Sequence, residues 1–252
     1  MKFHPATRNH VNAPTTLSVD IGGTGIKAST LSTSGVMTAD RVRLPTPKPS
    51  SPDAVVSTVA ALAGELPDYD RVSVGFPGVV REGVTYTAPN LGTSAWKGFN
   101  LAQSLSERLG KPSRVVNDAD MQGLAAVTGT GIEFVITLGT GFGTAMFLDG
   151  QLLPHLELGQ HPAHRGYTYD QYLGDAARKK IGVKRWNRRV QKAIQNLHTL
   201  ICYDVLHIGG GNSSRITFEL SQQIRLVDNE LGILGGIALW ERCDANGSIR
   251  AD

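Results

Sequence analysis

Two stretches of this 252-residue chain repeat one pattern: an apolar run, a turn of glycine and threonine, and a second apolar run. The first comprises residues 16–21, the turn Gly22-Gly23-Thr24-Gly25, and residues 26–31. The second comprises residues 133–138, the turn Gly139-Thr140-Gly141-Phe142-Gly143, and residues 144–148. Apolar runs rich in β-branched residues and bounded by glycine read as strands. Two such units about half a chain apart predict duplicated α/β halves, with the division placed at 1–118 and 119–252. Nothing else in the sequence restricts the fold as strongly.

The intervening segments agree with that plan. A third strand is expected around 37–44, stopped by Pro45, Pro47, Pro49 and Pro52, and a helix over 54–65 capped by Ser51 or Asp53. A buried strand at 71–75, a helix at 101–109, a strand at 113–116 and a helix at 119–127 follow. After Pro154, helical spacing covers 169–180 and 183–202. A strand at 205–208 runs into Gly209-Gly210-Gly211, and a small apolar helix spans 232–240. Residues 1–14 read as a loose leader.

Composition excludes several classes. A chain with 40% hydrophobic and 19% charged residues is an ordinary globular one, long enough for ample core. A net charge of +3 is too mild to imply nucleic acid by itself. Cys202 and Cys243 offer neither a disulfide framework nor metal-ligand spacing. The N-terminal stretch lacks the apolar segment of a signal peptide, and no run approaches the ~18 apolar residues of a membrane span. A soluble cytoplasmic protein is expected.

Glycine turns converge backbone N–H groups on one concave side, with no Cβ to obstruct an anion. Gly22, Gly23, Thr24 and Gly25 with Lys27, and Gly139, Thr140, Gly141 and Gly143, are therefore candidate phosphate cradles. Asp20, at the edge of the first turn, suits Mg²⁺ or its water shell, since Mg²⁺ favours one or two carboxylates plus substrate phosphates. Neither turn is a P-loop. Gly209, Gly210 and Gly211 could admit a nucleotide against bare backbone or simply form a tight turn. Two carboxylates, Asp118 and Asp120, follow the 113–116 strand. Asp118 falls where a strand ends and Asp120 within a first helical turn, and spacing alone does not choose the working one.

The tract Val19-Asp20-Ile21-Gly22-Gly23-Thr24-Gly25-Ile26-Lys27 resembles the first phosphate motif of the ROK family of sugar kinases, within the actin/hexokinase/Hsp70 superfamily. Further landmarks follow in the family's order: Pro77-Gly78, Ala88-Pro89-Asn90-Leu91, Val116-Asn117-Asp118-Ala119-Asp120, Leu138-Gly139-Thr140-Gly141, Glu157-Leu158-Gly159 and Gly209-Gly210-Gly211. The likeness is greatest to the polyphosphate glucokinase branch, where both DIGGTGIK and NDAD occur. It implies a two-domain actin-like ATPase (ribonuclease H-like) fold with a cleft between duplicated halves. It implies a kinase acting on the 6-hydroxyl of a hexose, glucose foremost, with polyphosphate or ATP as donor and Mg²⁺ as cofactor. Asp118 becomes the catalytic base, with Asp120 assigned mainly to the helix cap. Asn90, Asn117 and Glu157 become sugar ligands. A homodimer is left open.

The chain departs from the family pattern in two places. Gln160 stands where many relatives carry a sugar-contacting His, so Gln160 or the adjacent His161 is expected to take that contact. This opens the sugar's identity to N-acetylated hexoses. Many relatives also bind structural zinc through a cysteine cluster. No cysteine lies between His161 and Cys202, so no structural zinc is expected. The leading residues are too few for the DNA-binding domain of ROK repressors, so none is expected. A noncatalytic sugar-binding regulator is the rival reading.

A basic run remains: Arg178, Lys179, Lys180, Lys184, Arg185, Arg188, Arg189 and Lys192, with no acid until Asp204. If helical, Arg185, Arg188, Arg189 and Lys192 share a face. A solvated face, a polyphosphate track on Arg185, Arg188 and Arg189, and a nucleic-acid contact compete for it.

Overall fold

Each glycine-threonine turn joins two antiparallel strands, and each hairpin is built into a five-stranded mixed sheet. The computed structural model describes residues 13–92, 94–228 and 231–242. Most of the expected leader and Cys243 lie outside the described residues. The elements in chain order begin with β1 (Thr16–Ile21), β2 (Gly25–Leu31), β3 (Val42–Pro45), α1 (Pro52–Gly64) and β4 (Arg71–Phe76). The short strands β5 (Val80–Arg81), β6 (Val84–Thr85) and β7 (Phe99–Asn100) precede α2 (Leu101–Leu109), β8 (Ser113–Asn117) and α3 (Asp118–Ala126). Then come β9 (Ile132–Leu138), β10 (Phe142–Leu148), β11 (Gln151–Leu152), β12 (Pro162–His164) and β13 (Tyr167–Thr168). The chain continues with α4 (Tyr169–Leu173), α5 (Asp175–Ile181), α6 (Val183–Ile201), β14 (Val205–Gly209), β15 (Ile224–Leu226) and α7 (Leu231–Arg242).

The two large sheets share one topology. Their orders are β3-β2-β1-β4-β8 and β11-β10-β9-β14-β15. In each, the hairpin is antiparallel, and two parallel strands extend the sheet from its first strand. The duplication expected from the glycine turns is thus present strand for strand.

Strands buried on both faces need cover on both. On the first sheet, Leu17, Val19 and Ile21 pack with Val55, Val59 and Leu62 of α1 and Leu101 and Leu105 of α2. Ser18 lies on the opposite face, where its hydroxyl donates to Ile233 O of α7 at 2.6 Å. On the second sheet, Phe134, Ile136 and Leu138 pack with Trp186, Val190 and Leu197 of α6. The intervening Val135 meets α3 through a cluster with Met121, Leu124, Phe147 and Leu239. Helix α3 therefore packs on both sheets and joins their two cores.

Local chemistry accounts for the helix ends. Ser51 caps α1, accepting from Ala54 N at 3.4 Å, with Pro52 at its first position. Gly110, at φ 66°, closes α2 in the left-handed region that glycine tolerates best. The helix expected over 169–180 is broken at Gly174. A Cβ there would lie 2.5 Å from Thr140 O, and Asp175 N donates to Gly139 O at 3.0 Å. The chain thus bends to fit the second glycine turn. The strand expected over 37–44 shrinks to Val42–Pro45, because Ser29 Oγ bonds Ala39 O at 2.8 Å in place of a regular ladder. No helix among the described residues is long and apolar enough to cross a membrane.

Candidate active site

The C-terminal end of β8 delivers Asn117 and Asp118 into a cleft between the two halves. Gly22, Gly23, Gly78, Asn90, Asp118, Thr137, Thr140, Gly141, Glu157 and Asp170 are among the residues lining it. Asp118 is the first residue of α3, and its Oδ1 accepts from Ala119 N at 2.8 Å. Gly75 of β4 makes room for it, since a Cβ there would meet Asp118 Cα at 3.3 Å. Burial, followed by the negative charge of Asp20, pushes the Asp118 carboxyl up to about 7. An acid poised near neutrality and facing a cleft suits proton transfer.

Asn117, read from the family motif as a sugar ligand, lines the cleft and also bonds the backbone around it. It is buried, its Oδ1 caps α3 by accepting from Ala119 N at 2.8 Å, and its Nδ2 donates to Phe76 O and Gly78 O. These bonds fix the Asn117 side chain at the junction that carries Asp118. It also takes the capping role expected of Asp120. Asn90 does reach the cleft, packed against the first turn, where a Cβ on Gly23 would meet Asn90 Cβ at 3.3 Å.

The two glycine turns are built alike. In the first, Gly22 N closes on Gly25 O at 3.0 Å, leaving the amides of Gly23 and Thr24 to a ligand. In the second, Gly139 N closes on Gly141 O at 3.1 Å, and Gly143 N donates to Thr137 Oγ1 at 3.2 Å. The Phe142 amide is taken by Asp170 Oδ1 at 2.6 Å, so Thr140 and Gly141 carry the remaining donors. Asp20 sits at the edge of the first turn, 3.2 Å from Lys27 Nζ.

Near Asp118 lies an acidic group with one imidazole among it. His155 Nδ1 is 3.1 Å from both oxygens of Asp120, and its Nε2 is 3.8 Å from Glu157 Oε2. The His155 and Asp120 side chains are each only 5% exposed. Burial alone would drive the ring neutral. The hydrogen bond and charge of Asp120, joined by the charge of Glu157, outweigh it and raise His155 to about 10. Burial also drives the Asp120 carboxyl up, but the shared proton belongs on the ring, which faces two carboxylates. His155 Nε2 and Glu157 Oε2, facing each other, are buried without a hydrogen-bond partner.

Sequence reasoning misses His155 and Asp170. The only hint of His155 is its position two residues ahead of Glu157. Asp170 reads as an ordinary first-turn acid of α4, and only folding brings it against Gly141 and Gly159, whose absent Cβ atoms give it space. Gln160 Nε2 donates to Asp170 Oδ2 at 2.7 Å, and Gln160 is not among the residues lining the cleft. His161 is exposed, with Nδ1 2.9 Å from Pro162 O, and lies outside the cleft lining. Gly209, Gly210 and Gly211 also lie outside it. Gly210 is packed on Leu138, and Asn212 Nδ2 donates to Gly139 O at 3.3 Å, so this turn braces the second cradle from behind.

The basic run is not a uniform charged face. Arg178 and Lys179 are held by Asp175 at 2.6 and 2.7 Å, and Trp186 is a core residue donating to Leu173 O. Arg189 donates to Tyr172 O at 3.0 Å and stacks 4.2 Å over its ring, which makes it part of the α4–α6 packing. Arg185, Arg188 and Lys192 remain exposed.

The sequence model of the ROK family matches residues 16–164. The chain is 31% identical over 207 residues to polyphosphate glucokinase of Mycobacterium leprae, covering 78% of this chain and 63% of that protein. It is equally identical over the same length to polyphosphate glucokinase of Mycobacterium tuberculosis, covering 77% of that protein. The chain therefore spans less than two thirds of the Mycobacterium leprae relative. Among solved structures, inorganic polyphosphate/ATP-glucomannokinase from Arthrobacter sp. strain KM superposes with a TM-score of 0.81. It is 32% identical, and the match covers 90% of this chain and 97% of the other.

Proposed function

Because the chain belongs to the ROK family and has its actin-like fold, we propose that it is a hexose kinase. It transfers a phosphoryl group from inorganic polyphosphate or ATP to the 6-hydroxyl of a hexose, with glucose the first candidate. One observation carries this reading: Asp118, raised to about 7, stands in one cleft with two glycine turns that offer free amides. The named relatives support both the reaction class and the donors.

Phosphoryl transfer asks the protein mainly to position charges and orient the nucleophile. Asp118 accepts the proton of the 6-hydroxyl as its oxygen forms the new P–O bond and the donor's bridging oxygen departs. The amides of Gly23, Thr24, Thr140 and Gly141 donate to phosphoryl oxygens. Glu157, Asn90 and Asp170 bind sugar hydroxyls, and His155 holds Glu157 and Asp120 in register. Asp20 is the residue that would hold Mg²⁺ together with donor oxygens. The fit is chemical: Asp20 and Asp118 repel at the same end of the first sheet, and a hard cation with oxygen ligands would relieve it. When bound, the ion neutralises charge on the phosphates.

A coupled assay of a sugar panel, N-acetylated hexoses included, against ATP and polyphosphate tests the proposal. Changing Asp118→Asn should lower kcat by roughly 10²–10⁴ while leaving sugar binding intact. Absence of turnover with every pair would instead favour a noncatalytic sugar-binding regulator.

A further inference from the structure

The register of the first sheet places Asp20, Lys27 and Arg43 directly opposite one another on three adjacent strands. Directly opposed residues share one face of a sheet, so a row of charges steps outward from the cleft, with strands about 4.8 Å apart. Two of its members are like-charged neighbours, Lys27 and Arg43, an arrangement that costs stability unless an anion answers it. Asp20 answers only Lys27, at 3.2 Å. The Arg43 guanidinium folds back over the tip of the glycine turn, with NH2 3.4 Å from Thr24 O. It occupies the space a side chain at Gly25 would need, since a Cβ there would lie 2.5 Å from it. Lys48 joins from the segment after β3, with Nζ 3.4 Å from Gly23 O. Thr46 Oγ1 straps that segment to Gly22 O at 2.5 Å.

Both Arg43 and Lys48 are exposed, and among the described residues neither pairs with a carboxylate. Their contacts to peptide oxygens are long ones that phosphate oxygens would readily replace. The turn thus directs amides into the cleft and cations out of it. On α5 and α6, by contrast, Arg178 and Lys179 are answered by Asp175, and Arg189 lies on Tyr172.

We infer that Lys27, Arg43 and Lys48 form an outer donor subsite, which binds the phosphates of a polyanion longer than a triphosphate. This rests on the phosphoryl-donor reading of the same cleft. The reacting phosphate lies inside on the turn amides, and the remainder of the chain leaves over the β2–β3 edge. Phosphates beyond those held on the turn amides are the ones Arg43 and Lys48 would meet.

The test compares Arg43→Gln, Lys48→Gln and the double variant with the wild-type chain, using ATP, tripolyphosphate and long-chain polyphosphate. The double variant should raise KM for long-chain polyphosphate about tenfold, with ATP and tripolyphosphate changed by less than about twofold. The salt dependence of the long-chain KM should fall by a slope of roughly 1.5, reflecting two lost phosphate contacts. Lys48→Glu should exceed Lys48→Gln. Equal losses with long and short donors would overturn the subsite, as would a loss produced by Arg185→Gln and Arg188→Gln instead. Direct binding of labelled long-chain polyphosphate keeps the test separate from catalysis. If no donor supports turnover, the kinase reading fails. The subsite then stands only if the wild-type chain binds polyphosphate and the double variant does not.

Discussion

Asp118 has three reasons to keep its proton: burial, the negative charge of Asp20 and, more weakly, that of Glu157. A general base works ionised, so kcat/KM should rise as pH increases through about 7 and level off above it. Asp20→Asn removes the second of these causes, so the limb should move to lower pH even though turnover falls. A pH–rate profile whose limb stays in place would show that Asp20 does not act on Asp118. His155 obeys the opposite sign. Its folded value, about 10, exceeds the ordinary 6.5. The stability it supplies is therefore complete below about 6.5 and is lost as pH rises toward about 10. His155→Leu would leave Asp120 and Glu157 buried without a countercharge, at a cost of about 3–5 kcal/mol in urea unfolding at neutral pH. His155→Gln keeps a hydrogen bond without the charge and should fall between the two.

Among elements, α7 shows how closely a helix from the end of the chain can seat on a sheet from its beginning. Ser73 Oγ donates to Gly236 O at 2.6 Å, Trp240 Nε1 donates to Ser73 Oγ at 2.8 Å, and Arg114 stacks 4.1 Å over Trp240. A Cβ on Gly235 would run into Met121 O of α3, and one on Gly236 would lie 2.5 Å from Ser18 Oγ. Gly235→Ala should therefore destabilise by ~1–3 kcal/mol despite alanine's better helix propensity. Gly232→Ala, with nothing within 4 Å of the added carbon, should be neutral or gain up to ~1 kcal/mol. Thermal unfolding of the two variants separates close packing from propensity, and equal responses would refute the tight seat.

At the scale of the whole molecule, two sheets of one topology meet across α3, and the cleft lies between their glycine turns. Ligands that bind only the folded cleft stabilise by mass action, about 2.7 kcal/mol at a hundredfold excess over Kd. A hexose substrate should raise Tm equally in the wild-type chain and in Asp118→Asn, because the base acts on the proton and not on sugar affinity. Loss of that shift in the variant would assign Asp118 to binding.

The sequence by itself determined the strands of both hairpins, both glycine turns and the strand-to-helix junction that carries Asp118, because each depends on residues adjacent in the chain; the choice of Asp118 over Asp120 came from the family motif. A turn needs its own glycines, and a strand-to-helix junction needs its own carboxylate. The family motifs extended that reach to Asn90 and Glu157, which line the cleft. Tertiary structure alone decided the rest. It directed Asn117 to Phe76 O and Gly78 O, turned Gln160 onto Asp170, and set His155 between Asp120 and Glu157. It also drew Trp186 into the core and Arg189 onto Tyr172. Polar side chains satisfy hydrogen bonds with whatever folding brings near, and those neighbours come from distant segments that no local pattern specifies.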